Sequence, residues 1–278
     1  MDWIKDEQGI WIGEKNEKLS YPEDGNLECY QLEDSSPWFR YRNELIEIFL
    51  NWHGRKSGDF IDIGGGNGFQ LEYLTKKRII SGKGILVEPG YQGCLNAKKR
   101  GCEIVYNGIF QDFPWENYSV SMVGLFDVIE HIEDDIVFLN ELYERLPLGA
   151  RVFINVPSKM LLWSSVDVES GHFRRYELID LDRIERETPF KIIDRTFYFR
   201  FFEFPLFGAR VIPERLGFFK LRPGDGKRLK DTNNKNLRRG NTGMLSMYFN
   251  HRQKQSLKRL KSGQRIKSGT SLFFVLEK

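Results

Sequence analysis

Two groups of residues in this sequence have types and spacing suited to chemistry. The first is Asp59-Phe60-Ile61-Asp62-Ile63-Gly64-Gly65-Gly66-Asn67-Gly68, an apolar run entering a glycine loop, with Glu88 some twenty residues on in Ile85-Leu86-Val87-Glu88-Pro89-Gly90. Glycines let a backbone turn sharply and approach a ligand that a Cβ would exclude. A carboxylate at the end of the following strand can accept hydrogen bonds from both ribose hydroxyls of a nucleoside. The second group is Asp127, Glu130 and His131, with His172 later in Gly171-His172-Phe173-Arg174-Arg175-Tyr176. Histidine takes a proton near neutrality, so His131 and His172 are the candidate bases. In the structural alternative, His131 caps the helix that follows, and His172 braces its loop against Asp167 or Glu130. Asp167, Arg174, Arg175 and Tyr176 could line an acceptor pocket, the arginines holding a carboxylate or phosphate. They could equally form a network pinning the loop. His53 and His251 lie in no motif.

These residues need a scaffold, and the hydrophobic pattern supplies one. Ser36-Pro37 reads as a helix start, followed by an apolar face of Leu45, Ile48, Phe49 and Trp52. Phe60–Ile63, Gly84–Val87, Glu103–Tyr106, Met122–Phe126 and Val152–Val156 are short apolar runs separated by helical segments, which suits a buried parallel sheet. A helix spans Phe69–Lys77. A second carries Ile136, Leu139, Leu142, Tyr143 and Leu146 on one face and stops at Pro147 and Gly149. Lys191–Phe197 and Ser271–Leu276 read as further strands. The pattern indicates a doubly wound α/β domain, which binds ligands at the carboxyl ends of its strands. The expected organisation is an N-terminal segment and helix over the cofactor site (1–57), a Rossmann-like core (58–197), an aromatic and basic insertion (198–270) and a last strand completing the core (271–278).

The loop spacing is GxGxG at Gly64, Gly66 and Gly68, not the GxGxxG of a dinucleotide site, which argues against a NAD-dependent oxidoreductase. With the preceding Asp62 it resembles motif I of the class I S-adenosylmethionine (SAM)-dependent methyltransferases. Leu125–Asp135 resembles motif IV of the type 11/23 members. Trp38–Arg42, Trp163–Asp167 and Gly171–Tyr176 resemble segments of one bacterial subgroup. The resemblance implies a mostly parallel seven-stranded sheet, its last strand antiparallel and returning as an edge hairpin with Lys191–Phe197. It implies SAM as cofactor, held by Asp62, Gly64, Gly66, Asn67 and Glu88, with Ile109, Phe110 and Phe126 packing nearby. Ile109 stands where family members usually carry an aspartate for the adenine amine, leaving Ile109 and Phe110 as packing or backbone contacts. Some relatives hold a divalent metal at the motif IV position, for which Asp127, Glu130, His131 and His172 would be the ligands here. The implied activity is methyl transfer to oxygen or nitrogen of a small-molecule, sugar or lipid-linked acceptor. Transfer to RNA, or SAM binding by a regulatory or scaffold protein without turnover, are the alternatives.

Composition sets the surroundings. Cys29, Cys94 and Cys102 form no CxxC pair, as expected of free thiols in a reducing cytoplasm. The charged N-terminus does not read as a signal peptide. Net charge is +3, yet 15 Lys/Arg against Asp225 and Asp231 between Lys220 and Ser268 give that stretch +13 and leave residues 1–219 at −10. The aromatic stretch Tyr198–Gly208 could cover the sheet edge and wall the site, or meet a membrane interface holding a lipid-linked acceptor. The basic run behind it could contact anionic lipid at the inner face of the membrane, follow an RNA backbone, or remain a solvated face, with Asn233, Asn234, Gly240 and Gly243 suggesting a loop.

Overall fold

The computed structural model describes residues 3–13, 29–217 and 244–278. Its strands are β1 (Ile4–Lys5), β2 (Trp11–Ile12), β3 (Asp59–Ile63), β4 (Gly84–Glu88), β5 (Ile104–Asn107), β6 (Val120–Phe126), β7 (Arg151–Pro157), β8 (Lys191–Tyr198) and β9 (Ser271–Glu277). They form one sheet in the order β1-β2-β5-β4-β3-β6-β7-β9-β8. The five strands from β5 to β7 run parallel, and β9 lies antiparallel to both neighbours.

Two features differ from expectation. The sheet has nine strands because β1 and β2 extend it beyond β5. These two-residue strands are held by tertiary contacts: Trp3 packs edge-on to Tyr106 at 4.8 Å and donates from Nε1 to the Asp112 carbonyl at 3.1 Å. The last strand pairs with β8 as expected, but it is inserted between β7 and β8, so β8 forms the edge. Burial explains this placement, since six of the seven β9 residues are buried and an edge position would expose part of that run to water.

The helices are α1 (Pro37–His53), α2 (Phe69–Lys76), α3 (Tyr91–Lys99), α4 (Asp135–Arg145), α5 (Ser165–Glu169), α6 (Leu178–Glu187) and α7 (Met244–Lys261), with short helical turns across 200–215. Ser36 caps α1, accepting from the Trp38 amide, and Pro37 occupies its first turn. Asp134 caps α4, accepting from the Val137 amide at 3.2 Å. Alternate strand residues feed two cores. Ile61, Val123 and Ile154 pack with Leu139 and Leu142 of α4 and Leu181 and Ile184 of α6. Phe60, Leu86 and Phe153 pack on the other face with α1, α2, α3 and the Leu257 and Leu260 of α7. Part of the basic insertion is therefore a helix of the covering layer. Asn233, Asn234, Gly240 and Gly243, read as a loop, lie outside the described residues. Among the described residues, no helix is long and apolar enough to cross a membrane.

One buried ion cluster ties α4 to α6. Asp135 accepts from Arg183 at 3.0 and 2.6 Å and from the Tyr176 hydroxyl at 2.8 Å, and pairs with Arg174 at 2.7 Å. Burial alone would raise the Asp135 pKa, but the hydrogen bonds from Arg183 and Tyr176 and the charges of Arg174 and Arg183 outweigh it and hold the carboxyl below its usual value. The unfolded chain therefore protonates first. The stabilisation is complete above the ordinary aspartate pKa of about 3.9 and is lost as pH falls through the lower folded value. Asp135→Asn should cost about 3 kcal/mol at neutral pH, because it removes the buried carboxylate that the half-buried Arg174 and Arg183 converge on. Thermal unfolding of both proteins across acid pH checks this: the gap in Tm should narrow below about pH 4, and a gap independent of pH would refute the assignment.

Candidate functional site

The carboxyl ends of β3, β4 and β6 open onto a cavity of about 810 Å³. The glycine loop forms one wall. Gly64 has φ +66°, and a Cβ there would lie 2.8 Å from a Val128 methyl; Gly68 has φ +73°, and its Cβ would meet Cys102 Sγ at 2.7 Å. Both positions need glycine for conformation as well as space. The loop is closed by Gly64 N–H to Val87 O at 2.7 Å and Gly68 N–H to Gly65 O at 2.9 Å. Glu88, at the end of β4, accepts from the Gly66 amide at 2.9 Å and the Gly90 amide at 2.8 Å, so the loop and the carboxylate are one unit.

Gly64, Gly66, Asn67, Glu88, Ile109, Phe110 and Phe126 all line the cavity. Phe110 packs against Phe138 of α4 at 4.6 Å, and its carbonyl accepts from Trp115 Nε1 at 2.9 Å. Asp62 lies apart from them. It is buried beneath the loop, where a Cβ on Gly65 would come within 2.9 Å of its Oδ2. Burial, reinforced by Glu88 and opposed by Arg42, pushes its carboxyl up to about 8. Neither Asp62 oxygen has a hydrogen-bond partner among the described residues.

The N-terminal segment forms the opposite wall with Cys29, Glu33, Trp38, Phe39 and Arg42. Glu33 is fastened to the loop, accepting from Asn67 Nδ2 at 3.1 Å and pairing with Arg100 at 3.0 Å. Burial raises the Glu33 carboxyl pKa despite these partners. Arg42 pairs with Asp127, whose other oxygen accepts from Asn155 Nδ2 at 2.6 Å. Asp127 has φ +60°, a left-handed conformation that aspartate tolerates better than most residues. The roles of Arg42, Asn155 and Glu33 are not apparent from the sequence patterns. In that wall, the aromatic Trp38–Arg42 motif alone carries a sequence signal.

The 3₁₀ turn Ile129–His131 after β6 and the α5 loop bring the histidines together. Their rings sit 4.7 Å apart, nearly perpendicular, and both line the cavity. His172 Nδ1 lies 3.1 Å from Asp167 Oδ1, and His131 Nδ1 lies 3.3 Å from the Gly171 carbonyl. Donating through Nδ1 leaves each ring with Nε2 as its acceptor. The helix cap expected of His131 is supplied instead by Asp134. Glu130 is buried, and burial with the neighbouring Asp127 charge pushes its carboxyl well above the usual range. Glu130, His131 and His172 offer ligand atoms within 4.8 Å of one another. Asp127, the fourth residue of the expected metal set, is not in that group because it is turned towards Arg42 and Asn155.

Of the two arrangements open to Asp167, Arg174, Arg175 and Tyr176, the contacts are those of the loop-pinning network. Asp167, Arg174, Arg175 and Tyr176 do not line the cavity. Asp167 is buried and accepts from Arg175 Nε at 2.8 Å and the Ser164 amide at 3.0 Å, closing the α5 capping box. Arg175 also donates to the Ser158 carbonyl at 3.2 Å. Arg174 pairs with Asp135 and donates to the Glu133 carbonyl, and the Tyr176 hydroxyl donates to Asp135. Buried carboxylates hold both arginines in the loop-pinning arrangement.

No protein-family model matches the chain, and no curated protein matches it. Solved structures do. A chain of a Haloferax volcanii complex between a methyltransferase and a methyltransferase activator aligns with a TM-score of 0.56 at 12% identity, covering 92% of this chain and 94% of that one. The plantazolicin methyltransferase BpumL, with a triazolic desmethylPZN analog and S-adenosylhomocysteine, gives 0.54 at 14% identity over 92% of this chain and 90% of its own. Haemonchus contortus phosphoethanolamine N-methyltransferase 2, with phosphomonomethylethanolamine and S-adenosylhomocysteine, gives 0.52 at 17% identity; 94% of this chain is covered, but it spans only 59% of that enzyme. The fold is that of the class I SAM-dependent methyltransferases.

Proposed function

We propose that the chain transfers the methyl group of SAM to an oxygen or nitrogen of a small-molecule, sugar or lipid-linked acceptor. The observation that carries this reading is the coupling of Glu88 to the glycine loop through the Gly66 amide, in a cavity that is also lined by His172, whose ring Asp167 holds from behind.

The residues fit the cofactor. The cavity volume lies within the range of sites that enclose a ligand of this size. Gly64 and Gly66 present backbone where the amino-acid end would lie, and Asn67 is fixed beside them by Glu33 and Asn96. Glu88 would hold the ribose hydroxyls, while Ile109, Phe110 and Phe126 would give the adenine apolar surface. When bound, SAM supplies a methyl group on a positively charged sulfur, already a good leaving group. The protein must then align the acceptor and exclude water, which can lower a barrier by ~7–11 kcal/mol.

His172 is the base in this reading. Its Nδ1–H donates to Asp167, leaving Nε2 to accept a proton from the acceptor. Asp167, Arg174, Arg175 and Tyr176 position the loop. Among the described cavity residues Arg42 is the sole arginine or lysine, and Asp127 holds it. An anionic group on the acceptor would therefore find no uncommitted arginine or lysine among these residues.

Calorimetric titration with S-adenosylhomocysteine, SAM and NAD tests the cofactor. Binding of the first two and not the third is expected, and failure of folded protein to bind either overturns the reading. With Asp127 drawn to Arg42, the remaining trio is read as acid–base machinery, so methyl transfer should survive dialysis against EDTA. Activity lost on chelation and restored by a divalent cation would instead make Glu130, His131 and His172 metal ligands.

A further inference from the structure

The two sides of α7 differ in character. Gln253, Leu257 and Leu260 are buried, the Ser256 and Tyr41 hydroxyls bond at 2.6 Å, and Phe249 stacks on Phe202 at 4.8 Å. These positions share one helical face, turned onto α1 and the aromatic segment after β8. Arg252, Lys254, Lys258, Arg259 and Lys261 are exposed around the remainder, and Lys267 is exposed just beyond. Met244–Lys261 contains no aspartate or glutamate. Lys254 and Lys258 stand one turn apart as a like-charge pair, an arrangement that costs stability unless an anion faces it. Near the start of the same helix Met247 is 67% exposed and Tyr248 52%, while Phe204, on the segment to which Phe249 fastens the helix, is 86% exposed.

We propose that the outer face of α7 docks the protein on an anionic lipid surface. The cations would sit at the headgroups, with Met247, Tyr248 and Phe204 entering the interface. A phosphodiester backbone would satisfy the cations, but it offers no apolar phase for Met247 and Phe204. The charge distribution supports one orientation: residues 1–219 carry −10 and are repelled, so the basic face turns towards the surface. α7 lies on α1, whose Trp38, Phe39 and Arg42 wall the cavity, so docking would bring the cavity close to the interface.

Flotation of the full chain with vesicles of phosphatidylcholine, alone or mixed with phosphatidylglycerol, tests it. The protein should float only with the anionic vesicles and be released by salt. Each lysine or arginine near such a surface contributes about fivefold to affinity. The double reversal Lys254→Glu/Lys258→Glu should therefore weaken binding by at least about 25-fold, with Tm unchanged. Met247→Ser should weaken binding without altering charge. Failure to float with anionic vesicles overturns the proposal, as does flotation unaffected by the double reversal. A mixed-sequence RNA oligomer that displaces the protein from vesicles would assign the face to nucleic acid instead.

Discussion

Replacing His172 by alanine should lower the methyl-transfer rate by about 10²–10⁴-fold, the usual contribution of a positioned base, while leaving the affinity for S-adenosylhomocysteine unchanged. The expectation rests on what holds the ring. Asp167 is buried and already neutralised by Arg175, so its bond to His172 Nδ1 fixes ring orientation and tautomer in an otherwise satisfied site. Removing the ring leaves Asp167 with Arg175 and Ser164, so the α5 loop should keep its fold. Stability and cofactor affinity separate catalysis from bracing. If the variant instead lowers Tm by several degrees and weakens cofactor binding, with little loss of rate at saturating cofactor, His172 is a brace. His131, whose Nδ1 meets a backbone carbonyl, that of Gly171 at 3.3 Å, where His172 meets a carboxylate, should give a smaller rate effect.

The parts of this site that could be read from the sequence are those whose signal is local. Interior parallel strands are buried on both faces, so β3, β4 and β6 appear as apolar runs, and the glycine loop between β3 and α2 announces its own backbone geometry. Ser36-Pro37 marked the start of α1 for the same reason. Pairings across the chain carry no such signal. Arg174 and Arg175 looked available for an acceptor because nothing nearby in sequence shows that Arg174 meets Asp135 across 39 positions, or that Asp167 turns inward to meet Arg175. Arg42 and Asp127, 85 positions apart, are a similar case. The placement of β9 had a usable clue. Ser271–Glu277 is apolar almost throughout, without the alternation of a half-exposed edge strand, and that composition suits the interior position it occupies. β1 and β2 had none, since two-residue strands are too short to show periodicity and depend on Trp3 and Trp11 packing against Tyr106.

Glu88→Ala should reduce affinity for S-adenosylhomocysteine by at least about 100-fold, because hydrogen bonds to a charged group contribute ~1.5–3 kcal/mol each and a ribose offers two hydroxyls. A second cost falls on the loop. The Gly66 and Gly90 amides both donate to Glu88, and its removal takes away the acceptor that holds Gly66 at φ +51°. Glu88→Gln separates the two effects. Its amide oxygen can keep one backbone donor, but its NH₂ must then face the other, so part of the loop order survives while the charge is lost. An intermediate affinity for Glu88→Gln, with both variants folded by circular dichroism, is the expected pattern. Equal, large losses in the two variants would mean that the negative charge itself dominates. Unchanged affinity in Glu88→Ala would place the nucleoside elsewhere in the cavity and remove the observation on which the methyltransferase reading stands.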